Sequence, residues 1–254
     1  MTLPTGRHSR ALFAVMALTT ALAPFAFAAP VSQSAILADA GRPDADKARD
    51  ADRKPADMLM FARVRPGETI ADFFPGRGYF TRLFSLATGP HGTVYAVTPQ
   101  LWLDRAKGKP QPLPVSGEPG RGNVHELIAS ADSLGLPKKA DLVWTSQNYH
   151  DIHIWSGAAG TALLNKAVFA ALKPGGLYVV LDHAGPAGLD DAGMAKLHRI
   201  DEMLVKNEVT QAGFVLDGES DALRNPADPH SADVFDPSIR GKTDQFILRF
   251  RKPK

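Results

Sequence analysis

The sequence predicts an α/β domain built on a mostly parallel sheet with helices on both faces. Strand and helix signals alternate along most of the chain after residue 69, as in folds of this class. Residues 177–181 form a continuous apolar run, which is typical of a strand covered on both faces. The chain has 254 residues, 44% of them hydrophobic, which is enough for one sizeable domain with its own core.

The first predicted strand, residues 69–74, changes into a helix at 78–88 across Gly76 and Gly78. Glycine permits the backbone angles of a sharp strand-to-helix turn, and the free N–H groups of the helix can then face a ligand. Apolar side chains recur at helical spacing after the turn, until Gly89 and a proline end the helix. The two glycines therefore indicate a ligand-binding turn.

The remaining elements follow from the same signals. In order, they are strand 93–97, a proline-rich connection at 99–122, strand 124–129, strand 141–146, helix 161–172, strand 177–182, helix 192–209, strand 213–217 and strand 245–251. Ligands of such sheets bind beyond the carboxyl ends of the strands, so we expect the functional side chains at that edge.

The first residues form a separate unit. Arg7 and Arg10 precede an apolar run at 11–27, and the run ends in a small-x-small cleavage pattern, so residues 1–28 are predicted to be an export signal. The alternative is a membrane anchor, but threonines and Pro24 interrupt the run, which is short for a span. We expect a periplasmic or secreted protein with no stable membrane anchor.

The mature chain is predicted to have two parts. Residues 29–65 mix charged and apolar stretches, and we expect one or two helices there that pack on the sheet or cover its open side. Residues 66–254 would form the α/β domain.

Composition argues against several kinds of partner. The chain has no cysteine, which removes a lipid-anchored form and disulfides. Loss of Arg7 and Arg10 with the signal lowers the basic count from 29 to 27, equal to the 27 acidic residues. A balanced charge gives no reason to expect a nucleic acid or an anionic membrane as partner.

Titratable side chains cluster after two neighbouring predicted strands. His150, Asp151 and His153 follow one strand, and Asp182 and His183 follow the next, so both groups should reach the carboxyl edge. A neutral imidazole oriented by a carboxylate can accept a proton from a nucleophile. His150 is the candidate general base, with Asp151 or Asp182 orienting it; alternatively, these residues hydrogen-bond loop backbone and cap the next helix.

The same histidines raise the question of a metal. His150 and His153 stand three apart, and Asp182, His183 and His198 could complete a ligand set. No Cys pair or His-Glu-x-x-His signature accompanies them, so we assign no metal site from the sequence. His198 is explained by the helix at 192–209, whose apolar positions recur at helical spacing.

Several segments together carry a family pattern. They are Asp72-Phe-Phe-Pro-Gly-Arg-Gly78, Gly92-Thr-Val-Tyr-Ala-Val97, Ala131-Asp132-Ser133-Leu134, Asp141-Leu-Val-Trp144 and residues 172–182. These residues resemble the Rossmann-like (class I) S-adenosylmethionine-dependent methyltransferases, over about residues 44–254. Residues 146–153, 197–201 and 239–246 look more narrowly like a bacterial branch of predicted methyltransferases that often carry export signals. The resemblance implies a three-layer fold, a seven-stranded sheet with an antiparallel last strand, and S-adenosyl-L-methionine as cofactor.

The resemblance also implies which residues bind the cofactor. Carried over by position, they are Asp72, Phe74, Pro75, Gly76, Gly78 and Tyr79 in the turn, Thr98 after the second strand, Asp132 and Ser133 at the adenine, and Asn148 near the methyl group. Two positions depart from the family pattern. Phe74 replaces the usual first glycine, and Thr98 stands where an acidic residue normally binds both ribose hydroxyls, which a threonine hydroxyl binds less well.

Two hypotheses of function follow. The first is a methyltransferase that acts on an unidentified small molecule or envelope component, with His150 as base. The second is an exported protein that keeps the fold but is catalytically silent or binds another ligand. The long segment 221–245 would be a lid or substrate wall in the first case, and its arginines could pair with an anionic substrate. Alternatively, the charged residues of this segment form an internal salt-bridge network that only holds the segment in place.

Overall fold

The computed structural model describes residues 1–2, 32–107 and 114–254. The signal peptide predicted at residues 1–28 lies outside the described residues apart from its first two. Part of the proline-rich connection also lies outside them. Within the described ranges, the helices are too short or too polar for any of them to span a membrane.

Seven strands form one mixed sheet. They are β1 (Thr69–Phe73), β2 (Thr93–Pro99), β3 (Val124–Ala129), β4 (Ala140–Ser146), β5 (Leu172–His183), β6 (Val215–Ser220) and β7 (Gln245–Arg251). The strand order is β3-β2-β1-β4-β5-β7-β6, and β7 runs antiparallel to both of its neighbours. The predicted seven-stranded sheet with an antiparallel last strand is confirmed.

Helices cover both faces of the sheet. They are α1 (Gln33–Ala38), α2 (Asp44–Lys47), α3 (Asp50–Arg53), α4 (Pro55–Phe61), α5 (Tyr79–Thr88), α6 (Gln100–Arg105), α7 (Tyr149–Ala171), α8 (Asp191–Leu197) and α9 (Glu202–Gln211). Successive strand residues point to opposite faces, so Ile70 packs in a core with α5 whereas Ala71 packs in a core with α7. The three-layer α/β fold follows from this alternation.

The N-terminal segment forms four short helices where the sequence predicted one or two. Polar contacts fasten them to the start of α5. Arg42 donates two hydrogen bonds to Asp50, of 2.8 and 2.6 Å, and the Tyr79 hydroxyl donates to the same carboxylate at 2.7 Å. Arg82 pairs with Asp46 at 3.0 Å. These contacts place α2 and α3 beside the glycine turn.

The helix predicted at 161–172 begins twelve residues earlier in sequence, at Tyr149, and bends at Gly157, whose φ is 64°. Its first two turns were missed because their buried face carries polar side chains, His150 and His153, in place of an apolar stripe. Asp182 Oδ2 accepts the His150 N–H at 2.8 Å, which stabilises the positive end of the helix.

The single helix predicted at 192–209 is wrong, because the structure divides it into α8 and α9. His198 adopts a left-handed conformation with φ 50°, and Ile200 then forms a parallel bridge with Ala184. The Asp201 side chain accepts the Met203 N–H and starts α9. His198 therefore lies in a turn near the edge of the sheet.

The segment at 221–245 is held by ion pairs, as the alternative of an internal network predicted. Arg199 donates to both oxygens of Asp228, at 2.8 and 3.1 Å, and both side chains are fully buried. Arg224 pairs with Glu202, and the His230 ring lies 3.0 Å from Asp244. The network fixes this segment next to α8 and the end of β5.

Candidate active site

The turn after β1 concentrates unusual backbone angles. Phe74, Gly76 and Gly78 have φ values of 62°, 56° and 78°. Such angles are costly for Phe74, which has a Cβ atom. Its backbone N–H donates to Val97 O at 2.8 Å, and its ring packs against Trp102 and Trp155 at centroid distances of 5.7 and 5.9 Å. Packing therefore holds a phenylalanine where glycine would be unstrained.

A polar cavity of about 260 Å³ lies beside this turn. Its lining combines Asp72, Phe74, Pro75, Gly76 and Tyr79 of the turn region with Arg49 and Arg53 from the N-terminal helices and Gln147 and Asn148 after β4. The Asn148 amide donates to Phe74 O at 3.0 Å, which joins the ends of β1 and β4. The N-terminal helices thus contribute two cations to the carboxyl edge.

Arg53 is the cation that the sequence did not single out. Its guanidinium lies over the rings of Tyr79 and Phe80, at 4.8 and 5.3 Å, and Nη2 donates to Gln147 Oε1 at 2.7 Å. Its buried Nε has no hydrogen-bond partner among the described residues, and none of their carboxylates forms an ion pair with it. Burial, with Arg49 nearby, lowers the pKa of Arg53 to about 10. An anion in the cavity would relieve this desolvation.

Asp72 is a buried carboxylate that lines the same cavity as Arg53. Only 3% of it is exposed, and one carboxylate oxygen accepts from the Thr81 hydroxyl at 2.6 Å. Burial raises the pKa of Asp72 to about 7, although the Thr81 hydrogen bond and the Arg53 charge favour the ionised form. Its charge therefore changes near neutral pH.

A second, mainly apolar cavity of about 500 Å³ shares Phe74, Gly76 and Arg77 with the first. The rest of its described lining is Thr98, Trp102, Leu103, Pro114, Glu126, Leu127 and Ile128. Ile128 is 60% exposed, so part of this apolar surface is open among the residues that the structure describes. Thr98 supplies a hydroxyl group to its lining and Glu126 supplies a carboxylate. Glu126 was not predicted, since a charged residue on a strand looks like a solvated face.

Asp132 and Ser133 lie after β3 and outside the described lining of this cavity. Asp132 is exposed and accepts from the Ser130 hydroxyl at 2.8 Å. The Ser133 hydroxyl accepts the Gly135 N–H at 3.1 Å. Both side chains thus stabilise the local turn.

His150 and Asp182 form a buried pair at the end of β5. His150 Nδ1 lies 2.7 Å from Asp182 Oδ1, and the same carboxylate accepts the backbone N–H groups of His150 and His183 at 2.8 Å each. Burial opposes ionisation of Asp182, but the His150 charge and hydrogen bond hold its pKa below its usual value. Burial also opposes protonation of His150, yet Asp182 raises its pKa overall. With a proton on Nδ1, the Nε2 atom of His150 is the acceptor.

The other predicted residues divide between two groups. Asp151 lies 3.6 Å from His150 Nε2, and the His183 ring lies 5.8 Å from the His150 ring. Burial lowers the pKa of His183 to about 3, so it is neutral, and its Nδ1 lies 2.7 Å from the Thr243 hydroxyl. His153 instead faces Glu208, at 3.1 Å, and belongs to a different polar network.

Comparison with protein-family models and with curated protein sequences gives no match. Many solved structures are similar in fold. An S-adenosylmethionine-dependent methyltransferase from Aquifex aeolicus is 16% identical with a TM-score of 0.52, over 82% of this chain and 95% of its own. A possible exported protein from Bordetella parapertussis is 17% identical with a TM-score of 0.51, over 82% and 68%. Human N-acetylserotonin methyltransferase in complex with S-adenosylmethionine is 13% identical with a TM-score of 0.50, over 83% and 54%.

The chain has the Rossmann-like fold of class I S-adenosylmethionine-dependent methyltransferases. At these identities the similarity establishes the fold, while activity has to be argued from the site.

Replacing Gly78 by alanine should destabilise the turn. A Cβ atom there would clash with Val115 Cγ2, and the φ of 78° alone costs a non-glycine residue about 1–2 kcal/mol. Gly122→Ala is the matched control, since a Cβ atom at Gly122 meets no atom within 4 Å. Urea unfolding should show a loss above about 1–2 kcal/mol for Gly78→Ala and within about 0.5 kcal/mol for the control. Equal stability of the two variants would contradict the constrained turn.

Proposed function

We propose that the protein is a methyltransferase that uses S-adenosyl-L-methionine. The observation that carries this proposal is the pair of joined cavities around the turn after β1, one charged and one apolar. The cofactor has the same division, with a zwitterionic amino-acid end and an adenosine end. The two cavities share Phe74, Gly76 and Arg77, so one elongated molecule could extend through both.

The charged cavity suits the amino-acid end of the cofactor. Arg53 lines this cavity, has no carboxylate partner among the described residues, and would pair with the carboxylate. Asp72 would accept from the ammonium group, with Thr81 fixing its carboxylate. The free energy gained by pairing these groups is larger than at a surface, because both side chains are largely desolvated.

The apolar cavity suits the adenosine end. Trp102, Leu103 and Ile128 offer the apolar surface that a purine ring would cover. Glu126 supports the assignment, because it provides a carboxylate for the ribose hydroxyls beside Thr98. Thr98 alone would bind the ribose hydroxyls weakly. Glu126 would supply the carboxylate that the family pattern has at the position of Thr98.

The bound cofactor would supply an electrophilic methyl group, and the protein would have to deprotonate the acceptor. We propose His150 as the general base, with its proton on Nδ1 held by Asp182 and its Nε2 directed away from that carboxylate. Asp182 is a positioning residue, since it reaches the acceptor only through the imidazole. Asn148, which lines the charged cavity, links this region to the turn.

We further propose export of the protein and an acceptor that is a small molecule or an envelope component. The support is the signal-like sequence at residues 1–28 and the similarity to a possible exported protein from Bordetella parapertussis.

Affinity for S-adenosylmethionine should rise with pH through about 7. Raising the pH removes the proton from Asp72, whose pKa is about 7, and the resulting carboxylate attracts the ligand ammonium. In the wild type, affinity should rise by up to about tenfold per pH unit below the pKa of Asp72. Asp72→Asn should weaken binding at pH 8 and remove this dependence between pH 6 and 8. Calorimetric titration across this range measures it. A wild-type profile as flat as that of Asp72→Asn would contradict the assignment.

His150→Gln should abolish methyl transfer with cofactor binding retained. Removal of a general base typically costs about 10²–10⁴-fold in rate, whereas His150 does not belong to the described lining of either cavity. Transfer of a radiolabelled methyl group to a bacterial envelope extract, together with calorimetry, separates the two effects. His125→Gln is the control, since His125 is exposed on β3. Unchanged labelling in His150→Gln would remove His150 from the mechanism, and no labelling by the wild type would contradict this acceptor class.

A further inference from the structure

Three side chains converge beside the end of β5. His150 and Asp151 come from the first turn of α7, and His198 comes from the turn after α8. His150 Nε2 and His198 Nδ1 each lie 3.6 Å from Asp151 Oδ1, and one potential ligand atom from each residue lies within 4.8 Å of the other two. The sequence indicated His150 and His198 as possible ligands together with His153, Asp182 and His183, but it did not indicate Asp151, and no metal site was assigned from it.

Hydrogen bonding does not explain the arrangement. A distance of 3.6 Å exceeds the range of hydrogen bonds to oxygen, which is up to about 3.2 Å for N–H donors. His198 Nδ1 is buried and has no hydrogen-bond partner among the described residues. Two imidazole nitrogens therefore face one carboxylate oxygen without a proton bridge of normal length.

The surrounding structure orients these groups. Asp182 binds Nδ1 of His150 at 2.7 Å, which leaves the Nε2 lone pair on the side of Asp151. A carboxylate on the outer nitrogen is the usual second partner of a metal-bound histidine. His198 holds its left-handed conformation between a hydrogen bond to Met194 O and the buried Arg199–Asp228 pair. A left-handed residue commonly ends a helix, and here it ends α8.

We propose that His150, Asp151 and His198 bind a divalent first-row transition metal ion, with Zn²⁺ as the representative ion. Two imidazole nitrogens and one carboxylate oxygen are ligands that such ions accept. The two separations of 3.6 Å from Asp151 are close to the ~3.4 Å between two ligands of a tetrahedral zinc ion with bonds of about 2.1 Å, and the three candidate ligand atoms all lie within 4.8 Å of one another.

The charge and position of the site agree with this assignment. The carboxylates of Asp151 and Asp182 balance two positive charges. The side chains of Asp151 and His198 are 18% and 30% exposed, so the cluster lies close to the protein surface. Three protein ligands leave at least one coordination position for an oxygen or nitrogen atom from outside.

Metal binding and proton transfer would use the same lone pair of His150 Nε2. The general base proposed above therefore describes the ion-free protein, and an ion bound here would withdraw His150 from proton transfer. The metal site itself does not depend on methyl transfer, so each proposal can fail without the other.

Zinc titration of the purified, untagged and chelator-treated protein tests the site. We expect one equivalent of Zn²⁺ to bind by calorimetry, and Asp151→Asn and His198→Gln to lose most of that binding. Asp182→Asn, which removes only the orienting carboxylate, should weaken binding by about 10- to 100-fold. His91→Gln is the matched control, because it removes an exposed histidine remote in sequence from the cluster.

Co²⁺ absorption provides a second readout on the wild-type protein, in case a ligand variant fails to fold. Intense visible bands, lost on addition of Zn²⁺, would show four or five ligands at one exchangeable site. The proposal is overturned if no stoichiometric Zn²⁺ binding occurs and Co²⁺ gives only the weak spectrum of the hydrated ion. It is also overturned if folded Asp151→Asn and His198→Gln bind Zn²⁺ as tightly as His91→Gln.

Discussion

The Asp182 carboxylate holds the candidate active site together. It is completely buried at the end of β5, and it accepts from the His150 ring and from the backbone N–H groups of His150 and His183. A buried carboxylate without these donors would be strongly destabilised, so the start of α7 and the end of β5 must stay in register. The contact with Asp182 favours the tautomer of His150 that carries its proton on Nδ1. The contact between Asp182 and His150 therefore both stabilises the fold and orients the candidate general base.

The glycine turn and the N-terminal helices form the other half of the site. Asp50 and Asp46 bind the start of α5, which brings Arg49 and Arg53 over the end of β1. Arg53 is desolvated there without a carboxylate partner among the described residues, and Asp72 carries a raised pKa nearby. Both features cost stability in the protein alone and would be offset by a zwitterionic ligand. In this cavity, Arg53 and Asp72 therefore lower the stability of the ligand-free protein and would favour binding of a ligand.

Local patterns predicted the sheet well and the site incompletely. Strands 124–129 and 245–251 have the observed bounds, because β-rich runs between turn residues define them. The start of α7 was missed, since His150 and His153 are buried by partners distant in sequence. The turn at His198 was missed because the apolar spacing continues through Ile200. Arg53 and Glu126 reach the cavities only when separate elements meet, and the periodicity of the sequence does not show this.

Hydrogen–deuterium exchange with and without saturating S-adenosylmethionine or S-adenosylhomocysteine tests the central claim most directly. If the joined cavities hold the cofactor, exchange should slow at residues 72–80, in the N-terminal residues 45–53 and at 98–103. These segments supply the turn, the arginines and the apolar wall. No change at saturating ligand, or slowing confined to other parts of the chain, would contradict the proposed cofactor site and favour a fold that serves another ligand.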